Sequence, residues 1–400
     1  MPIPRYQPHD GPALFSAGFR PFFLAAAVWA ALAIPLWLLV FSGTLALAPG
    51  LAPVVWHVHE MVYGYGAATL AGFLLTAIPN WTGRLPLQGA PLMGLVLLWV
   101  AGRAALLAPA LGAPAVAAAD LAFPVAFLAV VAREIIAGRN WRNLPMAAAL
   151  ASLLIGNALV HAEALGWSAT AEAGNRLGIA TLAMLISLVG GRIVPSFTRN
   201  WLVKILPGAA APAPFQMFDR IALALTALAL ALWVIVPDTR AASVAALVAG
   251  VALAARLARW RGGPTWREPL VLVLHLGYGW LALALFLMGL NGLVPLLPPT
   301  TALHALTVGA IGTMTLAVMT RASLGHTGHA LTAGHGTVTI YALVTLAALL
   351  RLIAPLGGSE YLGLLALAGA AWSGAFGLFV VLYAPALARP RARSTAPQPS

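Results

Sequence analysis

The chain has 400 residues, 61% of them hydrophobic and 8% charged, with a formal net charge of +12 and no cysteine. A globular chain carries about 25% charged residues, so a cytosolic enzyme, a secreted module and a disordered chain are all excluded. The basic residues lie scattered between apolar blocks rather than clustered on one face, which argues against a nucleic-acid partner. The lack of cysteine removes disulfides, thiolate metal sites, iron–sulfur clusters and covalent haem attachment.

An N-terminal arm is expected over 1–21; it lacks the charged-then-apolar pattern and small-residue cleavage site of a signal peptide. Apolar blocks of spanning length then run at 22–45, 57–79, 91–109, 113–137, 143–166 and 174–198. Six more follow at 217–237, 240–259, 268–291, 299–321, 337–356 and 360–387. A membrane-spanning helix needs about 20 residues, so each block is one span. The loops between them are short and rich in Pro and Gly, as at Pro86 and Pro91, Pro207 to Pro214, Gly262 to Pro264, and Pro298 with Pro299. The expectation is an all-α integral membrane protein: one twelve-helix transmembrane domain over 22–387, followed by a disordered tail over 388–400.

Positively charged residues favour the cytoplasmic side in short loops. With the N-terminus inside, eighteen of the 22 basic residues fall on or near that side, and only Arg103, Arg176, Arg240 and Arg351 fall toward the other. Both termini are therefore expected in the cytoplasm. Spans two, six and ten end in related strings, TAIPNWTGR at 76–84, GGRIVPSFTRNW at 190–201 and AVMTRASLGHTGH at 317–329. A four-helix period of this kind would make three pseudo-repeated units of four helices, although shared interface chemistry explains the strings as easily.

Ionisable groups inside a membrane are costly and usually face a bundle interior, so each is a functional candidate. His57, His59 and Glu60 open the second span in WHVHEMVYGYG, at the outer face, and His304 lies about one turn inside the tenth span at the same face. His161 is near the outer end of the fifth span, His275 sits in the ninth in LHLGYGW, and His326, His329 and His335 follow the tenth on the cytoplasmic side. His9 is in the N-terminal arm. On a continuous helix the rings of His57 and His59 diverge by about 200°. One of them could hold a metal while the other makes a hydrogen bond or serves a second site. Glu60 shares a face with His57, and Tyr63 with His59. A neutral imidazole suits haem iron or copper when its second nitrogen has a partner such as a carboxylate. The plainer alternative is that the histidines are wetted by headgroup water or bonded to backbone carbonyls. Asp120 and Glu163 are the other carboxylates placed within spans away from the cytoplasmic ends.

Arginine makes 21 of the 22 basic residues. Arg20, Arg84, Arg192, Arg199 and Arg321 flank aromatic or Pro residues, Trp81 among them, at one membrane face. Guanidinium binds carboxylates through paired hydrogen bonds, so this layer could hold haem propionates; an ordinary snorkelling layer is the alternative.

The strings SAGFRPFF (16–23), WHVHEMVYGYGAATLAGFLLTAIPNWTGR (56–84), GGRIVPSFTRNW (190–201), LHLGYGW (274–280) and HALTVGAIGTMTLAVMTRASLGHTGH (304–329) together make the chain resemble the NnrS family. These are bacterial membrane proteins associated with the response to nitric oxide. The resemblance implies twelve spans in the inner membrane, non-covalent haem b, copper, and a place in nitrosative-stress defence and denitrification. It makes His57, His59, His275, His304 and His326 the metal-ligand candidates. The five arginines, Tyr63 and Trp81 become the cofactor contacts. The preferred pairing is His59 with His304 around a haem near the outer face, with Glu60 beside them as the proton-delivery group. Haem–copper oxidases take copper ligands from spans six and seven, where this chain has no histidine, so reduction of nitric oxide would need another constellation and an electron donor the sequence does not name. A sensor without turnover and a secondary transporter are the competing functions. The shortage of midplane carboxylates speaks against the transporter.

Overall fold

The computed structural model describes residues 10–45 and 51–391. Their helices run in chain order as α1 (Phe19–Phe41), α2 (Pro53–Thr82), α3 (Ala90–Leu106), α4 (Ala113–Ala137), α5 (Leu144–Ala164) and α6 (Ala171–Ile205). The second half comprises α7 (Met217–Ile235), α8 (Arg240–Ala258), α9 (Pro269–Leu293), α10 (Pro299–Thr327), α11 (His335–Ile353) and α12 (Tyr361–Ala388). Eleven are long and apolar enough to cross a membrane, and the shorter α3 completes the twelve. No strand occurs among the described residues. The chain is a multi-pass membrane protein.

Proline and glycine set many of the helix ends. Proline occupies the first turn of α2, α3, α4, α5, α9 and α10, where its missing N–H would have had no partner in any case. The helices α2 and α10 both stop at a left-handed glycine, Gly83 (φ 70°) and Gly328 (φ 82°). Three ends fall clearly later than the sequence suggests. The second span does not end at Pro79 but continues to Thr82, the sixth runs past Pro195 and Thr198 to Ile205, and the tenth runs past Arg321 to Thr327. Neighbouring helices can satisfy the backbone groups that an interior proline frees in a membrane.

Arg20, at the start of α1, donates from its guanidinium to the carbonyl oxygens of Leu387 (2.8 Å) and Arg389 (2.6 Å) at the end of α12. Both ends of the twelve-helix path therefore lie on one face, here called the terminal face; the other is the distal face. The segment before α1 is tied down as well, through Gln88 to the carbonyl of Ser16 (2.8 Å) and the amide of Gly89 to Phe15 (2.9 Å).

Three helices form the centre. Within α2, α6 and α10, 78%, 67% and 67% of the apolar window is buried, against 28% for α7. These three touch one another, while α3 to α12 pack in succession and α12 closes on α1. Each central helix contains a π-helical segment, at Glu60–Gly66, Ile186–Gly190 and Ala305–Gly312. Single π-turns are rare and concentrate at functional positions. Here they recur every fourth helix, in the same spans whose ends carry the related strings. A buried cluster on the terminal half ties this core to its shell: Arg256 of α8 meets Asp219 (2.9 Å), the Tyr278 hydroxyl (2.9 Å) and the Ser187 carbonyl (3.0 Å). All its charges are paired, which marks it as structural.

Candidate metal centres

The distal end of α2 presents His57 and His59 to different sides, as their spacing requires. His59 is fully buried and faces α3, α4 and α5. Its Nδ1 lies 3.0 Å from Glu60 Oε1, and its Nε2 lies 2.8 Å from Asn157 Oδ1 and 3.1 Å from Asp120 Oδ2. His161 Nε2 approaches the same Asp120 oxygen at 2.9 Å, and Asn157 donates to it at 2.8 Å. Arg103 pairs with Glu60 (3.2 Å) and, more closely, with Asp120.

Small residues make room for these groups. A Cβ at Gly102 would stand 2.8 Å from Asp120 Oδ1, and one at Gly64 would stand 2.5 Å from the Arg103 guanidinium. Two carboxylates face one guanidinium, which with both ionised leaves one negative charge. An imidazolium or a metal cation must balance it, because an unpaired charge at this depth is costly. The ligand atoms of His59, Asp120 and His161 all lie within 4.8 Å of one another, and all three residues are buried. Two imidazoles and a carboxylate form a donor set suited to copper, zinc or iron. Glu60 would then accept the N–H on the far side of His59, the usual support for a metal-bound imidazole.

His57 belongs to a second place. Its ring stacks on Trp37 of α1 (centroids 4.2 Å apart), and it lines a gap of about 50 Å³ with His304 of α10 and Arg351 of α11. His57 Nδ1 and Arg351 Nη1 are buried with no hydrogen-bond partner among the described residues. His304 Nδ1 donates to the Thr300 carbonyl at 2.7 Å, which leaves the lone pair on Nε2. The expected pairing of His59 with His304 is thus corrected: His304 shares its gap with His57. The reason is the helical phase, which turns His59 toward α4 and α5. The donors fit a haem, two neutral imidazoles with an uncompensated guanidinium for a propionate. The gap as it stands would hold only a few atoms, far less than a haem macrocycle.

The arginine layer and the remaining candidates lie at the terminal face. The path from His57 to Trp81 along α2 is about 36 Å at roughly 1.5 Å per residue, so this layer cannot reach a haem held by His57 and His304. Arg20 is occupied by the end of α12, Arg84 pairs with Glu134 (2.5 Å), and Arg321 lies over the Phe197 ring (3.9 Å). Arg192 and Arg199 are exposed at a cavity of about 800 Å³. Trp81, Arg192, Arg321 and His326 line a second cavity of about 660 Å³. His326 also packs against Phe19 (5.4 Å). His275 Nε2 donates to Thr198 Oγ1 (2.8 Å), whose own proton goes to Val194. His329 contacts the Thr327 hydroxyl at 2.7 Å, His335 starts α11 in an exposed position, and His9 lies outside the described residues. The Tyr63 hydroxyl donates to the Gly174 carbonyl (2.6 Å), so Tyr63 ties α2 to α6.

Sequence reasoning left Arg103, Asp120, Asn157, His161 and Arg351 out of the sites. Asp120 stood out as a carboxylate at membrane depth, and Arg103 and Arg351 as exceptions to the charge bias. Those were the available signals.

An all-α membrane bundle with a sealed histidine–carboxylate cluster at one end defines the class. The chain belongs to the NnrS family, whose model, described as NnrS protein, matches residues 13–391. No curated protein matches it.

Proposed function

We propose that this protein handles nitric oxide in the bacterial inner membrane, with its terminal face in the cytoplasm, by means of histidine-held metals at the distal face. The observation that carries the reading is the convergence of His59, Asp120 and His161, all buried, with ligand atoms within 4.8 Å of one another. Copper is assigned to these three residues. Haem b is assigned to His57 and His304, with Arg351 for a propionate. Copper and haem iron would supply nitric oxide binding and electron transfer, chemistry that side chains alone do not provide.

The chain's own residues hold and orient these groups and control protons. Glu60 accepts the Nδ1 hydrogen of His59 and so points Nε2 at Asp120 and His161. Arg103 bridges Glu60 and Asp120 and so holds the two carboxylates together. Asn157 fixes the rotation of the Asp120 carboxylate. Reduction of two NO to N2O and water takes up two electrons and two protons. Glu60, next to the cluster, is the residue assigned to pass protons.

Metal and haem analysis of the purified protein, paired with anaerobic NO consumption and N2O detection in the presence of an electron donor, tests the reading. His161→Ala is expected to lose copper, and His304→Ala to lose the haem spectrum. Glu60→Gln is expected to retain haem but lose turnover. A colourless, metal-free wild-type protein would refute the assignment, and NO binding without N2O would reduce the function to sensing or sequestration.

A further inference from the structure

The three π-turns have a shared consequence at the bundle centre. Gly66 ends the first, Ile186 and Gly190 bound the second, and Ile311 belongs to the third; all four line one cavity of about 90 Å³ between α2, α6 and α10. A π-turn puts an extra residue into the helix and displaces side chains from the regular packing register. Where three such turns meet, the core does not close. The remaining wall is apolar, with Leu70, Leu182 and Met314 prominent.

The cavity contains only two hydroxyls, and both have partners. Thr315 Oγ1 donates to the Ile311 carbonyl (2.7 Å) and contacts the Tyr65 hydroxyl, while Thr69 Oγ1 faces Met319 Sδ (3.9 Å). A water here would find few of the two to four partners it needs, whereas an apolar atom or molecule needs none. Phe73, Met146, Val189, Ile193 and Val318 line both this space and the 660 Å³ cavity at the terminal face, so the two adjoin. At the other end Tyr65, bonded to Thr315, packs edge-on against Trp372, which lines the gap of His57 and His304.

We propose that this cavity is a binding site for small, uncharged gas molecules, through which nitric oxide passes from the membrane interior toward the distal centres. Nitric oxide is a weakly dipolar diatomic that prefers apolar surroundings to water. A space of about 90 Å³ holds it without demanding a hydrogen bond, and no charged side chain lines it to attract an ion. The identity of the gas rests on the function proposed above; the cavity's affinity for apolar gas does not.

Xenon is the probe. In protein labelled with 13C-methyl methionine and held in lipid nanodiscs, the Met314 methyl resonance, assigned by its loss in Met314→Leu, should shift saturably with xenon pressure. The exposed Met217 should not. Val189→Phe and Ile311→Phe, which fill the cavity from different helices, should abolish the shift. They should also slow NO association about five- to tenfold while leaving the amount bound at saturation unchanged. Retained haem and copper in either variant shows that it has folded. No xenon shift at Met314, or an undiminished one in both filled variants, would overturn the site. A lost xenon shift with an unchanged NO association rate would overturn its role in delivery. A wild-type protein that takes up xenon but never binds NO would sink the proposed function and the delivery role, leaving the gas site in place.

Discussion

Arginines at the two faces of this protein live in different chemistry. At the terminal face they are numerous and each is dealt with locally: Arg20 caps α12, Arg84 pairs with Glu134, Arg321 lies on Phe197, and Arg192 and Arg199 reach exposed cavity edges. At the distal face there are few, yet Arg103 and Arg351 are buried beside the two histidine sites. Charge that follows the positive-inside bias reports orientation. Charge that defies it has been brought into the membrane for a reason, and here both buried exceptions mark a site.

Breaking the cluster at its hub should have the largest effect. Asp120→Ala leaves Arg103 short of a partner and removes a proposed copper ligand. Removing one partner of a buried pair costs about 3–5 kcal/mol, so thermal unfolding in detergent should fall sharply, and copper should be absent. Asp120→Asn keeps the shape and part of the hydrogen bonding; it should fold better yet still lose the metal. A Gly64→Ala substitution would press a methyl group on the Arg103 guanidinium and should cost about 1–3 kcal/mol by overpacking, again with lowered copper content.

The second distal site sharpens the contrast between faces. Arg351→Met should weaken haem retention, measured by the absorbance remaining after extended dialysis. Arg192→Met and Arg199→Met should leave it unchanged. The reverse ranking would restore the terminal-face layer as the propionate site. The smallest effect is expected at Arg84, whose side chain is 43% exposed in its pair with Glu134. Arg84→Ala should change stability by no more than about 1 kcal/mol.

Much of the architecture was legible in the sequence, because twelve apolar blocks and a one-sided arginine bias are written locally, span by span. The opposed directions of His57 and His59 followed from helical phase alone. Their partners did not. Asp120 and His161 lie on α4 and α5, and only the packing of those helices against α2 brings them to His59; nothing in the spacing of the chain states that adjacency. Choosing His304 for His59 used depth without azimuth, and depth is shared by every residue of a layer. The arginine layer is ambiguous in sequence for a related reason: a guanidinium that caps carbonyls, as Arg20 does, has the same sequence signature as one that waits for a carboxylate. The π-turns were invisible as such, although the strings that end α2, α6 and α10 pointed to the helices that contain them.

The central claim is that His59, Asp120 and His161 hold a metal. Copper quantified in the purified wild type and in His161→Ala, with X-ray absorption to identify the ligands, tests it most directly. Stoichiometric copper bound by nitrogen and oxygen in the wild type, and lost in the variant while haem is retained, is the predicted result. Copper at wild-type stoichiometry in a folded His161→Ala protein would contradict it.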